Sequence, residues 1–239
     1  AYYYQNQSMS YASLIAETKK AAAAFQSIGM AAEDRVLIRM SDSPQFVVTL
    51  LAIIGIGAIA VPTFTQLKSD ELDYRVKDSG SRFIIVDSDL LADVEKLLGE
   101  QSPLEHVIIS DNYKGTEHHS LKSIIKEMAP LESWEDTNCD DICMLLYTSG
   151  TSGKPKCAAQ CHRDLMAVGD TVGRYMYKMS EKDIFAGPIP LPFAIGTVFF
   201  IFCSLRFGAA VVLLPEKTAE AFLSVCNEYS PTILFGVPT

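Results

Sequence analysis

Residues 142–156 read ICMLLYTSGTSGKPK, an apolar run that ends in a short polar segment. The run 142–147 predicts a buried strand, because short apolar runs bounded by turn residues are typical of strands inside a sheet. The segment 148–156 holds four hydroxyl side chains, two glycines and two lysines. Glycines let backbone N–H groups approach an anion, hydroxyls donate hydrogen bonds and lysines neutralise charge. The segment favours a loop that binds a polyphosphate, although an ordinary Ser/Thr/Gly-rich turn has the same composition.

Strands and helices alternate on the N-terminal side of this loop. Strands are predicted at 35–40, 58–61, 82–87 and 106–110, and helices at 11–28, 44–57, 69–80, 90–98 and 120–128. The strands are apolar runs rather than polar/apolar alternations, which is typical of parallel strands buried on both faces. The pattern continues after the loop to Phe235. The predicted fold class is α/β, with mostly parallel sheets flanked by helices.

A polar segment divides this pattern. Residues 112–138 contain Pro130 and the single tryptophan, Trp134. The segment is interpreted as a connection between two α/β halves, about 1–130 and 140–239.

Composition limits the classes of partner. The chain has 239 residues, a hydrophobic fraction of 49% and a net charge of −9, which together exclude a disordered chain. A negative molecule repels nucleic acid and anionic lipid, so we expect neither a nucleic-acid nor a membrane partner. An anionic ligand needs a local cluster of donors to hold it.

Membrane spans and secretion are not expected. The apolar stretch 46–61 is shorter than the ~20 residues that a span needs, and Arg206 interrupts the stretch 196–214. Each is predicted to be a buried helix followed by a buried strand. Residues 1–4 do not begin a signal peptide.

The six cysteines are predicted to be reduced thiols rather than metal ligands. The spacing C-x3-C occurs at Cys139/Cys143 and at Cys157/Cys161. The second pair lies in a predicted strand, where residues i and i+4 are about 13 Å apart and cannot share one ion. We therefore predict no metal site in this chain and a reducing, cytoplasmic location.

Several known motifs are absent. Gly150 and Gly153 are too close together for a P-loop, and no G-x-G-x-x-G fingerprint occurs. The hydrolase motif G-x-S-x-G fails because Lys154 stands at its fifth position. His162-Arg163-Asp164 lacks the later Asn of a kinase catalytic loop.

Residues 147–156, Tyr-Thr-Ser-Gly-Thr-Ser-Gly-Lys-Pro-Lys, closely resemble the phosphate-binding signature of the adenylate-forming superfamily. The resemblance extends through 34–36, 57–62 and 233–238. Within that superfamily, residues 190–196 and 207–209 are similar to benzoate- and aminobenzoate-CoA ligases. The segment 162–164 also resembles that subgroup. The resemblance implies that residues 1–239 are part of the large N-terminal AMP-binding domain, with the C-terminal domain absent.

This resemblance also implies a reaction and its participants. A carboxylic acid, with an aromatic acid among the candidates, would react with ATP and Mg²⁺ to give an acyl-adenylate, and coenzyme A would then displace AMP. The implied phosphate ligands are Thr148, Ser149, Gly150, Thr151, Ser152, Gly153 and Lys154. Lys156 would be catalytic, neutralising pyrophosphate, unless it is only a solvated lysine at a strand start. Phe193, Ala194, Ile195 and Gly196 would bind the acid, unless they pack in an ordinary core.

Two positions depart from the family pattern, and other functions stay open. Cys157 stands where glycine is usual, and Ser152 replaces the more frequent threonine. Because later family motifs would lie beyond Thr239, we expect this piece to be inactive alone and to expose apolar surface that favours self-association. The alternatives are a non-catalytic nucleotide-binding module and a peptide-synthetase adenylation domain.

Overall fold

Two β-sheets and their flanking helices form the computed structural model, which describes residues 1–111, 113–148 and 154–236. The strands are β1 (Tyr2–Tyr4), β2 (Gln7–Met9), β3 (Arg35–Arg39), β4 (Ile59–Pro62), β5 (Phe83–Val86), β6 (His106–Ile109), β7 (His119–Ser120), β8 (Ile142–Thr148), β9 (Lys156–Cys161), β10 (Ile184–Ala186), β11 (Ala210–Val212) and β12 (Ile233–Leu234). The α-helices are α1 (Tyr11–Ser27), α2 (Pro44–Gly55), α3 (Ser69–Ser79), α4 (Leu91–Glu95), α5 (Leu121–Glu127), α6 (His162–Val168), α7 (Ser204–Phe207) and α8 (Ala219–Tyr229). Two π-helical segments, Gly169–Met176 and Gly196–Cys203, follow α6 and precede α7.

Both sheets are mostly parallel, as predicted. The larger has the strand order β7-β6-β5-β3-β4-β8-β9, and only the β8–β9 pair is antiparallel among its described strands. The smaller has the order β12-β10-β11-β1-β2, with β1 and β2 forming an antiparallel hairpin. The predicted α/β class with helix-flanked parallel sheets is confirmed.

The larger sheet is covered on both faces. On β3, Val36 and Ile38 join a core shared by α1, α2 and the smaller sheet. Leu37 points to the opposite face, into a second core with Leu72 and Val76 of α3. Because successive strand residues alternate between faces, an apolar run such as β3 supplies both cores.

Helix ends follow the local sequence signals. The N–H of Ser13 donates to Ser10 Oγ at 3.0 Å, which caps α1, and the N–H of Phe46 donates to Ser43 Oγ at 3.3 Å, which caps α2. Gly80 ends α3 with φ 61°, a left-handed conformation that glycine adopts without a side-chain clash.

The helix predicted at 90–98 is shorter in the structure. A 3-10 turn, Ser88–Leu90, precedes the α-helix Leu91–Glu95. The N–H groups of Leu97 and Leu98 then donate to carbonyls three residues back, at 2.9 and 3.2 Å. This tightening of the last turn is common at helix ends and explains the overestimate.

The N-terminal hairpin was not predicted. Gln5 and Asn6 have φ values of 46° and 60°, which form the turn between β1 and β2. Tyr2 pairs with Val211, so the smaller sheet joins a strand from the start of the chain to strands from its second half. The sheets therefore do not coincide with the segments 1–130 and 140–239, and the division into two halves stays a prediction.

The polar connection is tied to the first two helices. The N–H of Leu131 donates to Lys19 O at 3.1 Å, and that of Glu135 donates to Gly55 O at 3.0 Å. A Cβ on Gly55 would lie 2.7 Å from the ring of Trp134, so the indole lies directly over α2. Among the described residues, no helix is both long and apolar enough to cross a membrane.

All six cysteines are free thiols. Burial raises the pKa of Cys143 to about 12 and that of Cys203 to about 11. Both therefore stay protonated at neutral pH and behave as small apolar core residues. Cys157 and Cys161 both lie on β9, as predicted.

Candidate functional site

The candidate site begins at the hairpin of β8 and β9. Tyr147 pairs with Cys157 and Thr148 with Lys156, so the two ends of the predicted phosphate loop lie side by side. Thr148 Oγ1 lies 3.5 Å from Lys156 O, at the limit of a hydrogen bond. Lys154 and Lys156 are both exposed, the latter at the first position of β9.

The other predicted phosphate ligands, Ser149, Gly150, Thr151, Ser152 and Gly153, lie outside the described residues. Their roles, and that of Lys156, stay predictions.

Helix α3 holds both ends of this hairpin. Tyr147 OH donates to Asp78 Oδ2 at 2.7 Å. Tyr74 OH lies 3.2 Å from Pro155 O and 3.3 Å from Asp78 Oδ1, and its single proton serves one acceptor at a time. The ammonium of Lys154 lies 5.9 Å from the centroid of the Tyr74 ring. Burial and the bond to Asp78 raise the pKa of Tyr147, so its phenol remains a donor.

A cavity of about 360 Å³ opens beside these contacts. Thr148 and Pro155 border it on the hairpin side, and Phe193 and Ala194 border it on the other. The remaining lining includes Phe64, Leu67, Arg75, Leu146 and Tyr147. The structure thus brings the described ends of the predicted phosphate loop and part of the predicted acid pocket to one mostly apolar cavity.

The segment that carries Phe193 is anchored from the loop after β3. The N–H of Leu191 donates to Asp42 Oδ1 at 3.0 Å, and Lys217 Nζ lies 2.8 Å from Asp42 Oδ2. Burial raises the pKa of Asp42, while Lys217 and the Leu191 N–H oppose that shift. Asp42 therefore fixes the turn that presents Phe193, whose side chain is 41% exposed.

Ile195 and Gly196 are placed differently from Phe193 and Ala194. Neither is among the described residues that line this cavity. Ile195 packs against the main core, and Gly196 is buried against the backbone of Pro190. Their predicted role in acid binding stays a prediction, but their contacts in this structure are those of packing.

Replacing Gly196 with alanine should destabilise the fold, because the new Cβ would lie 2.1 Å from Pro190 O. Relief requires backbone movement, so we expect the free energy of unfolding to fall by about 1–3 kcal/mol, measured by urea denaturation. Gly236→Ala is the control, since a Cβ there meets nothing within 4 Å. Equal midpoints for the two variants would show that the turn at Pro190 adapts freely.

Arg75 is a charged cavity residue that the sequence analysis did not identify. Arg75 of α3 is 6% exposed, and its guanidinium carbon lies 5.1 Å from the Tyr147 ring and 5.9 Å from the Phe64 ring. Burial lowers the pKa of Arg75. No local motif marks this position. It reaches the site because β4 pairs with β8, through Ala60 and Met144, and α3 directly follows β4.

The described ends of the β8–β9 hairpin and the adjoining mostly apolar cavity make up the candidate site. The chain belongs to the family of AMP-binding enzymes, which matches residues 1–239. The resemblance found in the sequence is thereby confirmed.

Two similar curated proteins are named as CoA ligases. Benzoate–CoA ligase of Thauera aromatica is 30% identical over 213 residues, covering 89% of this chain and 40% of that protein. The 3-hydroxybenzoate–CoA/4-hydroxybenzoate–CoA ligase of the same organism is 29% identical over 234 residues, covering 97% of this chain and 44% of that protein.

Solved structures agree with this family and fold. A benzoate CoA ligase from Burkholderia xenovorans LB400 matches with a TM-score of 0.90 and 27% identity, over 100% of this chain and 47% of that one. An anthranilate CoA ligase in complex with anthranoyl-AMP matches with a TM-score of 0.94 and 26% identity, over 99% and 46%. This chain spans less than half the length of these relatives.

Proposed function

We propose that the protein containing this chain is an AMP-forming acid–CoA ligase. A carboxylate oxygen attacks the α-phosphorus of ATP, and the bond to pyrophosphate breaks. The coenzyme A thiolate then attacks the acyl carbon, and AMP leaves. The observation that carries the proposal is the single cavity bordered by Thr148 and Pro155 on one side and by Phe193 and Ala194 on the other.

The first step brings two anions together, so donors placed in advance lower its barrier. Residues 148–154 would hold the β- and γ-phosphates, and Lys156 would neutralise the departing pyrophosphate. The hydroxyl of Thr148 and the carboxylate of Glu71 border the cavity. Their oxygens are ligands that would suit a Mg²⁺ ion bound to the phosphates. When bound, this ion would neutralise phosphate charge.

The acid is proposed to be aromatic. Phe193 and Ala194 offer apolar surface, and the relatives above are named for benzoate, hydroxybenzoates and anthranilate. Six free thiols support a reducing compartment such as the cytoplasm.

Pyrophosphate release tests this proposal, with the longer protein given ATP, Mg²⁺, coenzyme A and one acid at a time. Because acetate leaves an apolar pocket unfilled, we expect benzoate to give a kcat/KM at least about 100-fold higher than acetate. The product should be the CoA thioester and AMP. The present chain alone should release pyrophosphate only at background.

Two results contradict the proposal. If ATP binds but no carboxylic acid, aromatic or aliphatic, is activated, the protein is a non-catalytic nucleotide-binding module. If the acyl group reaches a carrier domain but not coenzyme A, it is a peptide-synthetase adenylation domain.

A further inference from the structure

Arg75 is a buried cation without a counterion among the described residues. Arg75 is only 6% exposed, and its Nε has no hydrogen-bond partner among the described residues. No described carboxylate lies within 4.0 Å of the guanidinium. Burying an ionised group without a partner is unfavourable, and an anionic ligand in the cavity would remove that cost.

The surroundings of Arg75 hold the guanidinium at the cavity rather than neutralise it. The rings of Phe64 and Tyr147 lie close to it and also line the cavity. Glu71, which borders the same cavity, accepts a hydrogen bond from the N–H of Lys68 at 3.1 Å; its charge favours the ionised form of Arg75, but the two form no ion pair. Two aromatic rings restrict the side chain without removing its charge.

We propose that Arg75 binds a phosphate group of a substrate in this cavity. The inference rests on the proposed function, because it takes the cavity beside Thr148 and Pro155 as the place where phosphates bind. A guanidinium suits this role since its planar N–H groups can donate two parallel hydrogen bonds to one phosphate. ATP and coenzyme A both carry such groups.

The test compares binding by the longer protein and its Arg75→Met variant, measured by calorimetry with pyrophosphate, ATP, coenzyme A and benzoate separately. We expect at least tenfold weaker binding of a phosphate-bearing probe. Weaker binding of pyrophosphate and ATP identifies the triphosphate as the ligand, and weaker binding of coenzyme A alone identifies that substrate. Binding unchanged within twofold for all three, or weakened for benzoate alone, overturns the inference.

Two further variants separate binding from folding. Lys77→Met is the matched control, because it removes one charge from α3 at an exposed residue that pairs with Asp73 at 2.7 Å and does not line the cavity. Arg75→Lys keeps the charge but not the planar fork, and should bind the probe with intermediate affinity. If Arg75→Met does not fold, the lysine variant alone decides: unchanged affinity overturns the inference.

Thermal unfolding provides a readout that a purely structural role would not change. The phosphate probe should raise the melting temperature of the unaltered protein and of Lys77→Met, but not that of Arg75→Met. A lower melting temperature with an undiminished ligand-induced rise would show that Arg75 only packs between the rings.

The inference and the proposed function fail separately. If no acid is converted to a thioester while pyrophosphate binding still depends on Arg75, the function is wrong and the inference stands. If benzoate is converted while Arg75→Met binds every phosphate probe normally, the inference is wrong and the function stands.

Discussion

Lys156→Ala in the longer protein should lower the rate of adenylate formation about 100- to 1000-fold, the usual loss when one preorganised charge-stabilising group is removed. Lys156 begins β9 directly opposite Thr148, at the mouth of the predicted phosphate loop. The chain carries a net charge of −9, so local cations must offset the repulsion of a triphosphate. The effect should fall on kcat, because charge accumulates as pyrophosphate leaves.

Single-turnover measurement of pyrophosphate release, with the acid saturating, checks this expectation. Lys182→Ala is the matched control, since Lys182 is also exposed but lies outside the β8–β9 hairpin. Both variants should unfold at the same urea concentration as the unaltered protein. A rate within threefold of the control would show that Lys156 is an ordinary solvated lysine at the start of a strand.

The parts of this fold that the sequence predicts are those set by local interactions. An apolar run predicts the strand β3, and an apolar run that begins at Ser43-Pro44 and ends at glycine predicts the helix α2. The composition of residues 148–156 predicts the loop after β8. By contrast, β1 consists of three residues whose pairing with β11 is a long-range contact. No local pattern specifies such a partner.

The candidate site shows the same division. Arg75 and Asp42 both lie far from the hairpin loop in sequence. The pairing of β4 with β8 places α3, and with it Arg75, beside that loop. Asp42 lies in the loop after β3 and contacts the segment that carries Phe193. The predicted pocket segment 193–196 is split because helix begins within it. Each helical residue turns the side chain by about 100°, so neighbours in sequence face the cavity and the core in turn.

Phe235→Ala should lower the free energy of unfolding by about 3–5 kcal/mol, the usual cost of removing a buried phenylalanine. Phe235 follows β12, and its ring lies 4.2 Å from that of Phe199, measured between centroids. Three other rings surround it, those of Tyr177, Phe185 and Phe200, at 5.9, 6.1 and 5.8 Å. Alanine would leave a cavity among four rings and lose one stacked and three edge-to-face contacts.

The neighbouring variant Leu234→Ala supplies the comparison, since Leu234 is 53% exposed and directly precedes Phe235 at the end of β12. Urea denaturation should show a loss of less than about 1 kcal/mol for it. The N–H of Phe235 donates to Ala186 O at 3.0 Å and is retained in both variants, so the difference between their unfolding free energies reports the ring alone.

Phe199 belongs to the π-helical segment that begins at Gly196, three residues after Phe193. Loss of the Phe235 ring should therefore also loosen the turn that presents Phe193, raising the KM for the acid. Equal unfolding free energies for the two variants would show that the five-stranded sheet does not depend on the ring cluster for its attachment.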